Sequence, residues 1–73
     1  MNRVESINVV AAMLRDDGFS FAAHNVEVIA EKVDTGFSCN AQTKLKALYT
    51  ASTKFPSCAG ITPYLDLLQP LLS

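Results

Sequence analysis

Apolar residues recur at intervals of three and four along most of the chain, the spacing that places side chains on one face of an α-helix. This pattern predicts a first helix over Arg3–Asp17. Asn2 and Glu5 stand three positions apart at its start, the spacing of a capping box. Gly18 suits the left-handed residue that commonly ends a helix. The apolar face comprises Val4, Ile7, Val10, Ala11 and Leu14.

A second amphipathic segment predicts a helix that runs to about Val33. Its start stays open between Ser20 and Asn25, because either side chain can cap a helix by accepting from a free backbone amide. The run Asp34–Gly36 is typical of a turn and predicts the end of this helix. The apolar face comprises Val26, Ile29, Ala30 and Val33.

A third helix is predicted to start after Asn40 and to run to about Ser52. The segment Lys54–Gly60 contains Pro56 and reads as a loop, because proline and glycine interrupt regular structure. The apolar face of this helix comprises Ala41, Leu45, Leu48 and Tyr49.

A short fourth helix is predicted to begin at Thr62, with Pro63 in the first turn, where its missing amide costs nothing. Pro70 is expected to end it and to leave residues 70–73 as a loose tail. The leucine-rich stretch 64–72 is either a lid on the core or a partner-binding tail, and we favour the lid. The chain shows no period-two alternation and no evident internal repeat. We expect one all-α domain over residues 1–73: a compact three-helix domain with a short fourth C-terminal helix.

Composition narrows the class of protein. The chain is 49% apolar and 18% charged, which excludes the disordered class. Its longest apolar run, Val9–Leu14, is far shorter than a membrane span. Glu5 and Asn8 interrupt the N-terminal apolar run, so we expect no secretory leader. The protein is therefore expected to be cytoplasmic, with Cys39 and Cys58 as reduced thiols.

The sequence contains no recognisable catalytic or metal-binding arrangement. His24 is the single histidine and has no recognisable partners for acid–base chemistry. Cys39 and Cys58 do not form the short-spaced pairs of a structural zinc site. The three glycines are dispersed and form no phosphate-binding loop. We expect no enzyme, no cofactor and no metal.

The second and third helices, joined across Gly36, resemble a helix-turn-helix unit. Such a unit places its second helix in the major groove of DNA. Two features count against this interpretation: the predicted turn spans about six residues instead of three or four, and the net charge is −1. A repressor that binds DNA directly is therefore the alternative function. The third helix carries residue types that can contact bases or phosphates, namely Asn40, Gln42, Thr43, Lys44 and Lys46.

Three lysines concentrate positive charge in one acid-free segment, since Lys44, Lys46 and Lys54 fall within eleven positions. At 100° per residue Lys44 and Lys46 lie about 200° apart, so they cannot face one partner together, and Lys46 is expected to be the more exposed. Aromatic residues near helix ends are further candidates for a protein interface. We take Lys44, Lys46, Lys54, Phe37 and Tyr64 as candidate partner-binding residues.

The opening run Met1–Val10 and the total length of 73 residues resemble those of the small transcription regulators, inhibitors and antiterminators, that phages of Xanthomonas encode. The resemblance covers the chain as a whole and carries no diagnostic motif, so no functional residue is transferred. It implies a protein that acts in the host cytoplasm, most simply as a monomer. It also implies a protein partner, host RNA polymerase near its RNA exit and σ-binding surfaces, and an effect by occupancy close to nucleic acid.

Overall fold

The computed structural model of residues 1–73 is built of helices alone. Four α-helices follow one another, and a single 3₁₀ turn, Pro56–Cys58, lies between the third and the fourth. The prediction of an all-α protein with three longer helices and a shorter C-terminal one is confirmed. The helices are α1 Arg3–Asp16, α2 Ser20–Asp34, α3 Ser38–Lys54 and α4 Thr62–Leu72.

The start of α1 is fixed by side chains next to it in the sequence. The backbone N–H of Glu5 donates to Asn2 Oδ1 at 2.8 Å, and the N–H of Asn2 donates to Glu5 Oε1 at 3.5 Å. This reciprocal pair satisfies two amides that have no partner within the helix. The predicted capping box is thus confirmed.

The tripeptide Gly-Phe-Ser occurs twice and joins consecutive helices in the same way each time. Gly18 and Gly36 have φ of 90° and 87°, a region that only glycine enters at little cost. The N–H of Phe19 donates to the carbonyl of Leu14 at 2.9 Å, and the N–H of Phe37 donates to the carbonyl of Lys32 at 2.7 Å. Both are the six-to-one bonds of a Schellman turn. The same three residues thus form the same turn at both places.

The repeated turn corrects the predicted start of α3. The carbonyl of Phe37 accepts the first helical bond from Ala41, at 3.0 Å, so α3 begins at Ser38 and not after Asn40. In the same way α2 begins at Ser20. Ser20 is thus the correct one of the two starts left open for α2, but no side chain caps α2 or α3, and Asn40 does not mark the start of α3. Three residues therefore separate α2 from α3, where about six were expected.

The C-terminal residues are also corrected: they are helical and not a loose tail. Pro70 lies inside α4, which continues to Leu72. Near the end of a helix a proline forfeits one N–H bond. The burial of Leu72 and a bond from Gln42 Nε2 to the Leu72 carbonyl, 2.8 Å long, favour the helical conformation against that loss. The leucine-rich stretch acts as a lid, as favoured from the sequence.

The core is entirely apolar and draws on all four α-helices. Seventeen residues are buried, and none of them is polar or charged. α1 packs mainly on α2, and α4 runs antiparallel to α3. This arrangement leaves one side of α3 and the turn that precedes it open to solvent. The largest fully buried side chains are Ile7, Leu14, Val26, Ile29, Cys58, Ile61, Leu65 and Leu68.

Candidate binding surface

The residue that follows each turn glycine is apolar, but its surroundings differ between the three turns. Phe19 is half-buried, with its ring edge-to-face against Tyr64 and against the backbone at Gly60. Ile61, which follows Gly60, is fully buried. Phe37 is 55% exposed. The fold thus covers two of the three equivalent side chains and leaves the third open.

Phe37 lies next to Lys32, which stands in the last turn of α2. The ammonium of Lys32 lies 5.8 Å from the centre of the Phe37 ring, within the range of a cation–π contact. An exposed aromatic ring next to a cation has the composition of a protein interface, where aromatic and cationic side chains are enriched.

A polar groove lies between α2 and α3 on the side where Lys32 projects. It has a volume of about 420 Å³, and its lining contains two lysines and no carboxylate. The lining residues are Lys32, Cys39, Asn40, Thr43, Lys44 and Ala47.

The second lysine of the groove is held by a neutral partner. Lys44 Nζ donates to Asn25 Oδ1 at 3.0 Å, and Asn25 in turn donates to the carbonyl of Phe21 at 2.9 Å. The single ion pair of the molecule, Arg15–Glu27, lies between α1 and α2. Neither lysine of the groove is therefore paired with a carboxylate.

The predicted lysines do not form one surface. Lys44 is half-buried in the groove against α2, whereas Lys46 is exposed beside α4 and Lys54 is exposed at the end of α3. The expectation that Lys46 is the more exposed of the first two is confirmed. Sequence analysis missed Lys32, which lies seven positions after Asn25 and so on the same face of α2.

Tyr64 serves the fold instead of an open surface. Its ring packs on Phe19, and its hydroxyl donates to Asp17. The hydrogen bond to this carboxylate raises the pKa of Tyr64 above 10.0, with smaller contributions from burial and from the charge of Asp17. In α3 the hydroxyl of Tyr49 donates to Asp66 at 2.7 Å. Burial first and Asp66 second raise the pKa of Tyr49.

The chain matches no protein-family model, and no similar curated protein or solved structure was found.

A second, smaller cleft of about 220 Å³ separates α3 from α4. Gln42 spans it by donating to the Leu72 carbonyl, and Tyr49 spans it through Asp66. Lys46 lies at its edge. Side chains that join the two helices thus occupy this cleft.

The remaining chemical candidates are isolated from one another. His24 is exposed on α2, near its start. Cys39 is an exposed free thiol, whereas Cys58 is a free thiol buried in the core. No three His, Cys, Asp or Glu side chains come together in a cluster that could hold a metal ion. None of the helices combines the length and the apolar character needed to cross a bilayer.

Proposed function

We propose that this protein is a non-enzymatic transcription regulator that binds host RNA polymerase and acts by occupying its surface. Occupancy there inhibits initiation or promotes antitermination, because a bound protein displaces or braces polymerase elements without any chemistry. The resemblance of the opening run and the length to small phage regulators supports the choice of partner.

The exposed ring of Phe37 is the observation that supports a protein-binding surface at this position. Its two equivalents, Phe19 and Ile61, are covered by this chain's own residues. Covering an exposed phenylalanine releases water from its apolar surface and contributes about 25 cal/mol for each Å² buried. An aromatic or aliphatic pocket on the polymerase would give Phe37 the cover that Tyr64 gives Phe19.

Because the molecule is small, such an interface would cover a large share of its surface. Its accessible surface is 4329 Å². A standard protein interface takes about 800 Å² from each partner, which is close to a fifth of this surface. An interface centred on Phe37 would therefore also take in the neighbouring ends of α2 and α3.

Co-purification with RNA polymerase tests this proposal. Tagged protein is mixed with purified polymerase from a Xanthomonas host, as core enzyme and as holoenzyme, and the retained polymerase is measured at physiological salt. We expect retention by the wild type and at least a tenfold weaker affinity for Phe37→Ser, in the range of an interface hot spot. Phe21→Ser is the matched control: its ring is 64% exposed but lies about 20 Å away along α2.

The possible outcomes test the choice of partner and the choice of binding surface separately. Absence of any retained polymerase would refute the partner. Retention that Phe21→Ser weakens and Phe37→Ser does not would place the interface at the other end of α2. Run-off transcription with the same variants then measures whether bound protein inhibits initiation or increases read-through of a terminator.

A further inference from the structure

The pair of α2 and α3 has the spacing of a helix-turn-helix unit, because three residues, Thr35–Phe37, separate the helices and one of them is glycine. We propose that this pair binds duplex DNA, with the exposed face of α3 in the major groove and the lysines of the α2–α3 groove on the phosphate backbone. This contact goes beyond polymerase binding, since it gives the protein a nucleic-acid partner of its own.

The exposed face of α3 fits the major groove in shape and in chemistry. Five exposed residues fall within about 80° of the helix surface at 100° per residue. None is acidic and none is a large apolar residue, so the helix can approach the bases closely. Asparagine pairs with the edge of adenine, and threonine and alanine suit the methyl group of thymine. These residues are Asn40, Thr43, Ala47, Thr50 and Lys54.

The two lysines of the groove suit the phosphate backbone. Lys44 donates one N–H to Asn25, which leaves the other two N–H groups of its ammonium for a phosphate. Lys32 faces the same groove with no carboxylate partner. Phosphate contacts of this kind fix the register of a recognition helix on the duplex.

The slightly acidic net charge does not oppose this contact, because charge is segregated within the molecule. No Asp or Glu occurs between Asp34 and Asp66. On α2, the acidic residues Glu27, Glu31 and Asp34 lie about 100–180° around the helix from Asn25 and Lys32. Glu27 and Asp34 thus face away from the groove, Glu31 lies at the side of α2, and no carboxylate lines the groove.

Fluorescence anisotropy with a labelled duplex of mixed sequence tests the proposal, starting at about 50 mM salt. Two or three phosphate contacts predict that the logarithm of the affinity falls with the logarithm of the salt concentration with a slope of about −2 to −3. The variant K32Q/K44Q is expected to weaken binding at least tenfold and to reduce the magnitude of the slope by about 2. R3Q is the matched control, because Arg3 is exposed on α1, which packs on α2 and α4, and its variant should bind the duplex as the wild type does.

Several results would overturn the proposal. These are no binding of the duplex at low salt, equal losses for R3Q and K32Q/K44Q, or tighter binding of the single strand than of the duplex. Circular dichroism checks the fold of each variant, and K32Q alone, which leaves the Asn25–Lys44 bond intact, should still lower the magnitude of the slope by about 1. Lys32 also lies against Phe37, so polymerase retention by K44Q and duplex binding by Phe37→Ser keep the two proposals apart.

Discussion

The ring of Phe19 stands edge-to-face against the ring of Tyr64, with the ring centres 6.1 Å apart and the planes inclined by 61°. The hydroxyl of the same tyrosine donates to Asp17. These contacts join the start of α4 to the turn between α1 and α2, which are distant in sequence. Phe37 occupies the same position in the next turn without a counterpart of Tyr64.

Replacing the two phenylalanines separately should therefore have different effects on stability. Phe19→Ala removes a half-buried ring and its aromatic partner, and we expect a loss of about 2–3 kcal/mol in the free energy of unfolding. Phe37→Ala removes a largely exposed ring and should change stability by about 0.5 kcal/mol or less. Urea denaturation followed by circular dichroism measures both. Equal losses would show that Phe37 supports the fold and is not an open surface.

The two Gly-Phe-Ser turns show why the helix starts were harder to predict than the helix faces. Apolar periodicity located each core stripe, because the core is built from single helix faces. The search for a start relied on a polar capping side chain, which works for Asn2 at α1. At α3 the backbone conformation of Gly36 and Phe37 begins the helix, and no polar side chain caps it. Asn40 therefore gave the wrong start for α3. The repeated tripeptide was the available signal, and it would have given the three-residue turn.

Substitution of Gly36 tests whether this turn is held by backbone conformation. An added Cβ would meet no atom within 4 Å, so any cost must come from the positive φ itself. We expect Gly36→Ala to lower the free energy of unfolding by about 1–2 kcal/mol. Gly36→Asn should cost less, because asparagine tolerates the left-handed region. Equal stability of all three proteins would contradict a turn under this constraint.

The other limit on prediction was long-range packing. Pro70 is a local stop signal, but the atoms that keep α4 helical, on Gln42 and in the core, are far away in sequence. The same holds for Lys44, whose direction depends on Asn25 in another helix. Sequence alone placed Lys44 and Lys46 on α3 and Lys54 just beyond it, but it could not bring Lys32 to the groove of Lys44.

A pair of leucines in α4 tests whether the C-terminal residues belong to the fold. Leu72 is buried, whereas Leu67 on the same helix is 49% exposed. We expect Leu72→Ala to cost about 2–3 kcal/mol and Leu67→Ala about 0.5 kcal/mol. Thermal and urea unfolding of the two variants compare the same Leu→Ala change at a buried position and at an exposed position. If residues 70–73 were a loose tail, Leu72→Ala would leave the stability unchanged.

The two tyrosine–carboxylate bonds make stability depend on alkaline pH. Each hydroxyl donates to a carboxylate in the folded state. The pKa of Tyr49 is raised from 10.0 by burial first and by the bond to Asp66 second, and the pKa of Tyr64 is raised from 10.0 mainly by the bond to Asp17. Unfolding restores the ordinary pKa. The stabilisation is therefore fully present below about pH 10 and is lost as the pH rises through the folded-state pKa values.

The absorbance of tyrosinate measures the ionisation of these two hydroxyls directly, because the chain has two tyrosines and no tryptophan. We expect the folded protein to titrate above pH 10 and the urea-unfolded protein to titrate near 10. Tyr49→Phe and Tyr64→Phe isolate one tyrosine each, and Asp66→Asn and Asp17→Asn should bring the respective pKa back toward 10. The double Tyr→Phe variant gives the part of the pH dependence of stability that does not come from the tyrosines. If the double variant lost stability between pH 9 and 11 as steeply as the wild type, the tyrosine–carboxylate bonds would not be the cause.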